Sequence, residues 1–133
     1  MSGSEARRWM NFAETDLRAA HTLLDSEEFF LRQICFFAQQ CAEKSLKAIL
    51  VFEEVNFPKN HDLDRLRDLI PDGWQVKETF PDLAELTIWA VESRYPGDAP
   101  DVVEHEARET LRLAESVFEA VKAELEERMA ASR

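Results

Sequence analysis

The segment "FFLRQICFFAQQCAEKSLKAILVF", residues 29–52, decides the fold. It is the longest apolar-rich segment of the chain, and it contains neither glycine nor proline. We predict a helix over residues 28–55, which at 1.5 Å per residue spans roughly 40 Å. That is the full length of a small helical bundle, so the segment predicts a bundle with this helix running from end to end.

The flanking segments also follow a helical pattern. Residues 5–24 carry one apolar stripe at spacings of three and four, and residues 101–129 place their apolar side chains on one face. A short helix is predicted over residues 61–70, and a further one over 81–94, where Pro81 suits the first turn. No segment alternates with a period of two. The sequence therefore predicts an all-α, antiparallel four-helix bundle with an additional short helix, in a single domain over residues 1–133.

The charge balance excludes one class of function. The chain has 27 acidic and 16 basic residues, which give a formal net charge of −11. Because phosphate neutralisation supplies most of the affinity for nucleic acid, we expect no broad nucleic-acid-binding face.

The amino-terminal "MSGSEARRWMNF" lacks the apolar core of a signal peptide, and no apolar run approaches 18 residues. We therefore expect a cytoplasmic protein that does not enter a membrane.

The cysteines and histidines do not predict a metal site. Cys35 and Cys41 are six residues apart on one helix, so they point about 120° apart and do not form a disulfide. We expect both to be buried thiols. A metal site built from His21, His61 and His105 is the alternative, but no Glu-x-x-His pair of the di-metal bundle type occurs. We predict no metal and no cofactor.

Polar side chains interrupt the apolar pattern of the long helix. Gln40, Lys44 and Lys47 lie on or beside its apolar stripe. In one interpretation the lysines form ion pairs with Glu43 and with glutamates of other helices, while their stems cover apolar surface. In the other, Lys44 and Lys47 form a small anion pocket one turn apart, completed by Arg94 from the fourth helix.

Three motifs occur in order along the chain: "FFAQQCAEKSLKAILVF", then "HDLDRL" after a proline, then "SRYPG" before a long closing helix. Together they resemble the HEPN domain (higher eukaryotes and prokaryotes nucleotide-binding) over roughly residues 9–125. The resemblance implies an all-helical bundle that usually forms a homodimer. It also implies a possible partner, since prokaryotic proteins of this kind are often encoded beside a small nucleotidyltransferase as toxin–antitoxin-like pairs.

Many HEPN proteins resemble metal-independent ribonucleases, with an arginine followed after four to six residues by a histidine. The matching arginine here is Arg94, and the positions that follow at this spacing hold Ala99, Pro100 and Asp101. The resemblance therefore implies the nucleotide-binding or partner-binding branch of the family, with no catalysis of its own. Two alternatives remain: a ribonuclease toxin with a non-standard active site, and a purely structural assembly module.

For a nucleotide ligand we expect a pocket lined by Lys44, Lys47, Arg94 and Tyr95, with His61 supporting the loop beside it. Tyr95 is the only tyrosine, and it either packs the elbow of the chain or stacks on a base. His61 is either structural at a helix start or in contact with the ligand.

His105 is predicted to point away from the core, into solvent or toward a partner. At 100° per residue it points about 200° away from Val103, which lies on the apolar face of the last helix. An exposed histidine has nothing to orient its ring or to exclude water. We therefore predict that Arg94 and His105 are not a catalytic pair and that the protein has no intrinsic ribonuclease activity.

Apolar residues at the edges of the helical stripes predict a homodimer. They carry more apolar surface than one four-helix core needs, and such a surface usually marks an interface. These residues are Phe29, Phe30, Phe36, Trp89 and Val91.

Overall fold

The structure, a computed structural model, describes residues 2–26, 30–90 and 102–132, and within these ranges every regular element is a helix. The predicted all-α class is confirmed. The three long helices are α1 (Ser2–Leu24), α2 (Leu31–Phe52) and α6 (Glu104–Ala131). The short helices are α3 (Leu63–Leu69), α4 (Gln75–Thr79) and α5 (Ala84–Thr87), followed by a 3-10 turn at Ile88–Ala90. No helix in this described part of the chain is long and apolar enough to cross a membrane.

Helix α2 lies at the centre of the bundle and packs against both α1 and α6. It ends at Phe52 rather than at the predicted Val55, because Glu54 adopts a left-handed backbone conformation with φ of 57°. The Glu54 N–H donates to the Val51 carbonyl, and the Val55 N–H donates to the Leu50 carbonyl. These two bonds are the pattern of a Schellman motif, which closes the helix although its usual glycine is absent.

Contacts between the long helices give their directions. Along α1, Trp9 lies near Lys47 of α2 and Asp16 bonds to Lys44, so the two helices are antiparallel. Along α6, Thr110 lies beside the Cys35 thiol near the start of α2. At the other end, the α6 residue Arg128 lies 4.0 Å from the Trp74 ring, which in turn packs on Phe52. Helices α2 and α6 are therefore parallel, and both run opposite to α1.

Side chains of α3 hold the segment before α5. Asp62 caps α3 by accepting hydrogen bonds from the Asp64 and Arg65 N–H groups. The buried Arg67 donates to the Phe80 carbonyl at 2.9 Å, and the Asp64 carboxylate accepts from the Leu83 N–H at 2.8 Å. These bonds fix the chain between Phe80 and Leu83 in a non-helical form.

As a result, the helix predicted over residues 81–94 begins only at Ala84, and beyond Ala90 it lies outside the described residues. The boundaries of the helix predicted over residues 61–70 are also narrower in the structure, at Leu63–Leu69. The closing helix begins at Glu104, three residues later than predicted, because its N-cap Val103 is extended.

Two tryptophans and both cysteines lie in the core. Trp74 and Trp89 are buried, with 1% and 6% of their surface exposed. Cys35 and Cys41 are buried free thiols, as predicted, and burial raises the pKa of each to about 12. Trp89 therefore belongs to the core and offers little surface to a dimer interface.

Candidate functional site

A buried carboxylate on α2 is the centre of the candidate site. Glu43 is 4% exposed, and each of its two oxygens is occupied. Its Oε1 accepts a hydrogen bond from Gln39 Nε2 at 3.0 Å and lies 2.8 Å from His61 Nδ1. Its Oε2 accepts from Lys47 Nζ at 2.9 Å. We call Gln39, Glu43, Lys47 and His61 the Glu43 cluster.

The local sequence explains how this cluster forms. Gln39, Glu43 and Lys47 are spaced four residues apart, so they form one column along α2. His61 comes from the loop before α3, and its backbone carbonyl also accepts from Gln39 Nε2, at 3.4 Å. The Gln39 Oε1 in turn accepts from Gln40 Nε2 at 2.7 Å. Every polar group in the column therefore has a partner, as a buried position requires.

Opposing effects determine the charge state of Glu43. Burial raises the pKa of its carboxyl, but hydrogen bonds from Gln39, Lys47 and His61, with the charge of Lys47, lower it further than burial raises it. The net result is a lowered pKa, so Glu43 is ionised at neutral pH. Because an ionised carboxylate only accepts hydrogen bonds, His61 Nδ1 carries a proton and donates it.

Aromatic rings surround the ammonium group of Lys47. Its Nζ lies 5.9 Å from the centre of the Trp9 ring and 5.6 Å from the centre of the Phe57 ring. The two rings meet edge to face with their centres 6.3 Å apart. Both distances to Lys47 lie within the range of a cation–π interaction, so the rings stabilise its charge in a position that is only 8% exposed.

Lys44 does not join this cluster. Its Nζ lies 2.6 Å from Asp16 Oδ2 on α1, in a pair whose side chains are 27% and 13% exposed. The structure therefore brings together Lys47 and His61 of the predicted pocket, and holds Lys44 in a separate ion pair. Arg94 and Tyr95 lie outside the described residues.

The other two histidines lie apart from the Glu43 cluster. His21 Nε2 is 3.0 Å from the Glu115 carboxylate, in a half-exposed pair between α1 and α6. His105 is exposed, as predicted, but Val103, which was predicted to lie on the apolar face of the last helix, precedes that helix and is exposed too. Within the described ranges, no three His, Cys, Asp or Glu side chains are grouped so as to hold a metal ion. The absence of a catalytic pair between Arg94 and His105 stays a prediction, because Arg94 is not described.

Sequence reasoning missed Gln39, Trp9 and Phe57 as members of this site, and it treated Glu43 only as an ion-pair partner. One local signal was available, because polar residues at 39, 43 and 47 follow the helical spacing of four within an apolar segment. Trp9 and Phe57 had no comparable signal, since they reach Lys47 from α1 and from the loop after α2.

These features define a class: a small all-α bundle whose central helix carries a buried polar column next to the loop that precedes α3. A sequence model of the HEPN domain matches residues 6–125 of the chain. The protein belongs to the HEPN domain family.

Similar proteins agree with this assignment. The chain is 28% identical to a Methanocaldococcus jannaschii protein named "Putative toxin MJ1304", over 92% of this chain and 90% of that protein. The crystal structure of TT1696 from Thermus thermophilus superposes with a TM-score of 0.70 and 25% identity, over 89% of this chain and 96% of the other. The structure of ST0689, described as an archaeal HEPN homologue, shares the fold with a TM-score of 0.64 and 24% identity, over 90% and 97% of the two chains.

Proposed function

We propose that the protein is the HEPN component of a toxin–antitoxin-like pair in the cytoplasm. In this proposal it forms a homodimer, binds a small nucleotidyltransferase partner, a nucleotide, or both, and catalyses no reaction of its own. The family membership and the similarity to a protein named as a toxin support the first part.

The Glu43 cluster is the observation that carries the binding function. The charged Glu43 carboxylate lies beneath the surface, and solvent reaches the cluster at His61, whose side chain is 46% exposed. Partly exposed aromatic rings lie beside it. In the proposed pocket, His61 lies at the surface of the loop with the Glu43–Lys47 pair of α2 behind it, and we propose that Arg94 and Tyr95 complete it.

Exposed apolar side chains support the homodimer. Phe30 is 38% exposed just before α2, and Val103 is 61% exposed just before α6. Because α2 and α6 are parallel, these two residues lie at the same end of the bundle. Ile88, in the 3-10 turn, is 43% exposed. We propose that Phe30 and Val103 belong to a contiguous apolar patch, which is typical of an interface.

Light scattering and purification from the native cell test this proposal. We expect a particle of twice 15.4 kDa at micromolar concentration. We also expect a small nucleotidyltransferase, identified by mass spectrometry, to co-purify. A monomer of 15.4 kDa would contradict the homodimer, and purification without a nucleotidyltransferase would leave nucleotide binding as the function.

One observation favours a second candidate, a ribonuclease with a non-standard active site. Glu43 holds the Nδ1–H of His61, which is the arrangement that orients a histidine for proton transfer at its Nε2. Incubation of the purified protein with RNA separates the two functions. Our proposal expects intact RNA, whereas cleavage that disappears in His61→Gln and persists in His105→Ala would establish the ribonuclease.

A further inference from the structure

We propose that the phosphate of a bound nucleotide is held by the loop that precedes α3, through His61 Nε2 and Lys59 Nζ. The lysines of α2 then have a structural role. This inference rests on the nucleotide-binding form of the proposed function, and it names the atoms that make the contact.

The two lysines of α2 are already paired with carboxylates. Lys47 Nζ lies 2.9 Å from Glu43, and their side chains are only 10% and 5% exposed. Lys44 Nζ lies 2.6 Å from Asp16. A phosphate near either lysine would also meet the negative charge of its paired carboxylate, so each lysine has a weakened attraction for an anion.

His61 differs from these lysines because its outer nitrogen is available. Its Nδ1 is fixed by Glu43, whereas its Nε2 has no hydrogen-bond partner among the residues that the structure describes. The Glu43 carboxylate therefore sets the orientation of the ring, and the 46% exposed side chain presents Nε2 at the surface. When the ring is protonated, Nε2–H donates a charge-assisted hydrogen bond to a phosphate oxygen.

Lys59 adds a second cation in the same loop, two residues before His61. Its side chain is exposed and forms no ion pair with the described part of the chain. The nearby Asp62 uses its carboxylate to cap α3, where its Oδ1 accepts from two backbone N–H groups of the first turn. The Glu43–Lys47 pair is neutral as a unit, so Lys59 provides a positive charge beside the capping carboxylate, and His61 adds a second one when its ring is protonated.

The loop is also held in one conformation before any ligand binds. The Asn60 side chain accepts from the Asp62 N–H at 2.7 Å, and the Leu63 N–H donates to Thr87 Oγ1 at 3.1 Å. The His61 carbonyl accepts from the Gln39 side chain. A preorganised loop gives up little conformational freedom when it binds a ligand, which favours affinity.

The aromatic rings beside the cluster indicate how the base is held. Trp9 and Phe57 are partly exposed and lie within 6 Å of Lys47 Nζ, which shares Glu43 with His61. Stacking on such rings tolerates any base. We therefore expect recognition of the phosphate and of an aromatic base, with little discrimination between adenine and guanine nucleotides.

Calorimetric titration with ATP tests the assignment. Removal of one hydrogen bond to a charged group weakens binding by about tenfold or more, so we expect that loss in His61→Gln. Lys59→Ala, which removes an exposed cation, should weaken binding several-fold. His21→Gln is the matched control, since His21 is another carboxylate-bound and half-exposed histidine. Lys44→Gln is the control for the helix lysines, and both controls should bind ATP within about twofold of wild type.

The possible results are distinct. Equal ATP affinity in wild type, His61→Gln and Lys59→Ala would overturn the loop assignment and leave nucleotide binding in place. A selective loss in Lys44→Gln would also overturn it. A wild-type protein that binds no ATP would overturn both this inference and the nucleotide-binding function, while the nucleotidyltransferase partner would still be tested by co-purification. Circular dichroism checks the folding of each variant, and Lys59→Ala tests the site without changing the Glu43 cluster.

Discussion

Two histidine–glutamate pairs in this protein have nearly the same geometry and different surroundings. His61 lies 2.8 Å from Glu43, and His21 lies 3.0 Å from Glu115. The two histidine side chains are similarly exposed, at 46% and 44%, whereas the Glu43 side chain is 5% exposed and the Glu115 side chain is 42% exposed. The comparison shows that the distance between a histidine and a carboxylate says little about how much the pair stabilises the fold. The burial of the carboxylate matters more, because it determines which buried groups lose their partner when the carboxylate is removed.

The surroundings of the two carboxylates explain this difference. Glu43 also accepts hydrogen bonds from Gln39 and Lys47, which are buried themselves, so three side chains depend on one carboxylate. Glu115 is shared with the solvent, which can replace the carboxylate as a partner for His21. The first pair is therefore part of the core, and the second is a surface contact.

The largest effect is expected for the two carboxylates themselves. In Glu43→Leu the buried Lys47 and Gln39 lose their acceptor, so we expect the free energy of unfolding to fall by about 3–5 kcal/mol. In Glu115→Leu, where both partners are well exposed, we expect a change below about 1 kcal/mol. Urea unfolding followed by circular dichroism measures both. Similar losses in the two variants would show that burial does not distinguish the pairs.

A smaller difference is expected between the two lysines of α2. Lys47→Met leaves the Glu43 charge buried with one cation fewer, so we expect a loss of about 2–3 kcal/mol. Lys44→Met leaves Asp16 with more access to water, and there we expect a loss of about 1 kcal/mol. The same urea experiment applies. An equal or larger loss of stability in Lys44→Met would mean that the Lys44–Asp16 pair stabilises the fold at least as much as the contact of Lys47 with Glu43.

The pH dependence of stability gives the smallest effect and tests the sign of the Glu43 shift. Because the pKa of Glu43 is lowered in the folded protein, its ionised form stabilises the fold above the ordinary carboxyl range. That contribution is lost as the pH falls through the lowered pKa. The stability advantage of wild type over Glu43→Gln should therefore be full at pH 7 and shrink below about pH 4. An advantage that stayed constant down to about pH 3 would contradict the assignment.

The sequence predicted those parts of the fold that depend on local periodicity. The long helices α1, α2 and α6 follow from their apolar stripes, and their bounds differ from the prediction by at most three residues. Helix α4 was not predicted, because the carboxylate of Glu124, far along the chain on α6, accepts from the N–H groups of Gln75 and Val76 at its start. Such a cap depends on the packed structure and leaves no signal in the five residues that it stabilises.

The candidate site was also predicted only in part, because some of its contacts depend on tertiary packing. Lys44, Lys47 and His61 were identified from their residue types, and Lys47 and His61 do lie in one cluster. The separation of Lys44 was not predicted, because it depends on the antiparallel packing that places Asp16 of α1 opposite it. Local sequence can indicate that a lysine needs a partner, but the tertiary packing decides which carboxylate is in reach.

The two cysteines can serve as separate reporters of local opening. Cys35 contacts Thr110 on α6, whereas Cys41 lies near Asp16 on α1. With a pKa of about 12, only roughly one thiol in ten thousand is ionised at pH 8, so a maleimide reacts slowly while the native packing persists. The rate at which Cys35 is labelled would then report the separation of α2 from α6. The rate at which Cys41 is labelled would report the separation of α2 from α1. Their spacing on one helix thus makes the order in which the bundle loosens measurable by mass spectrometry without any engineered probe.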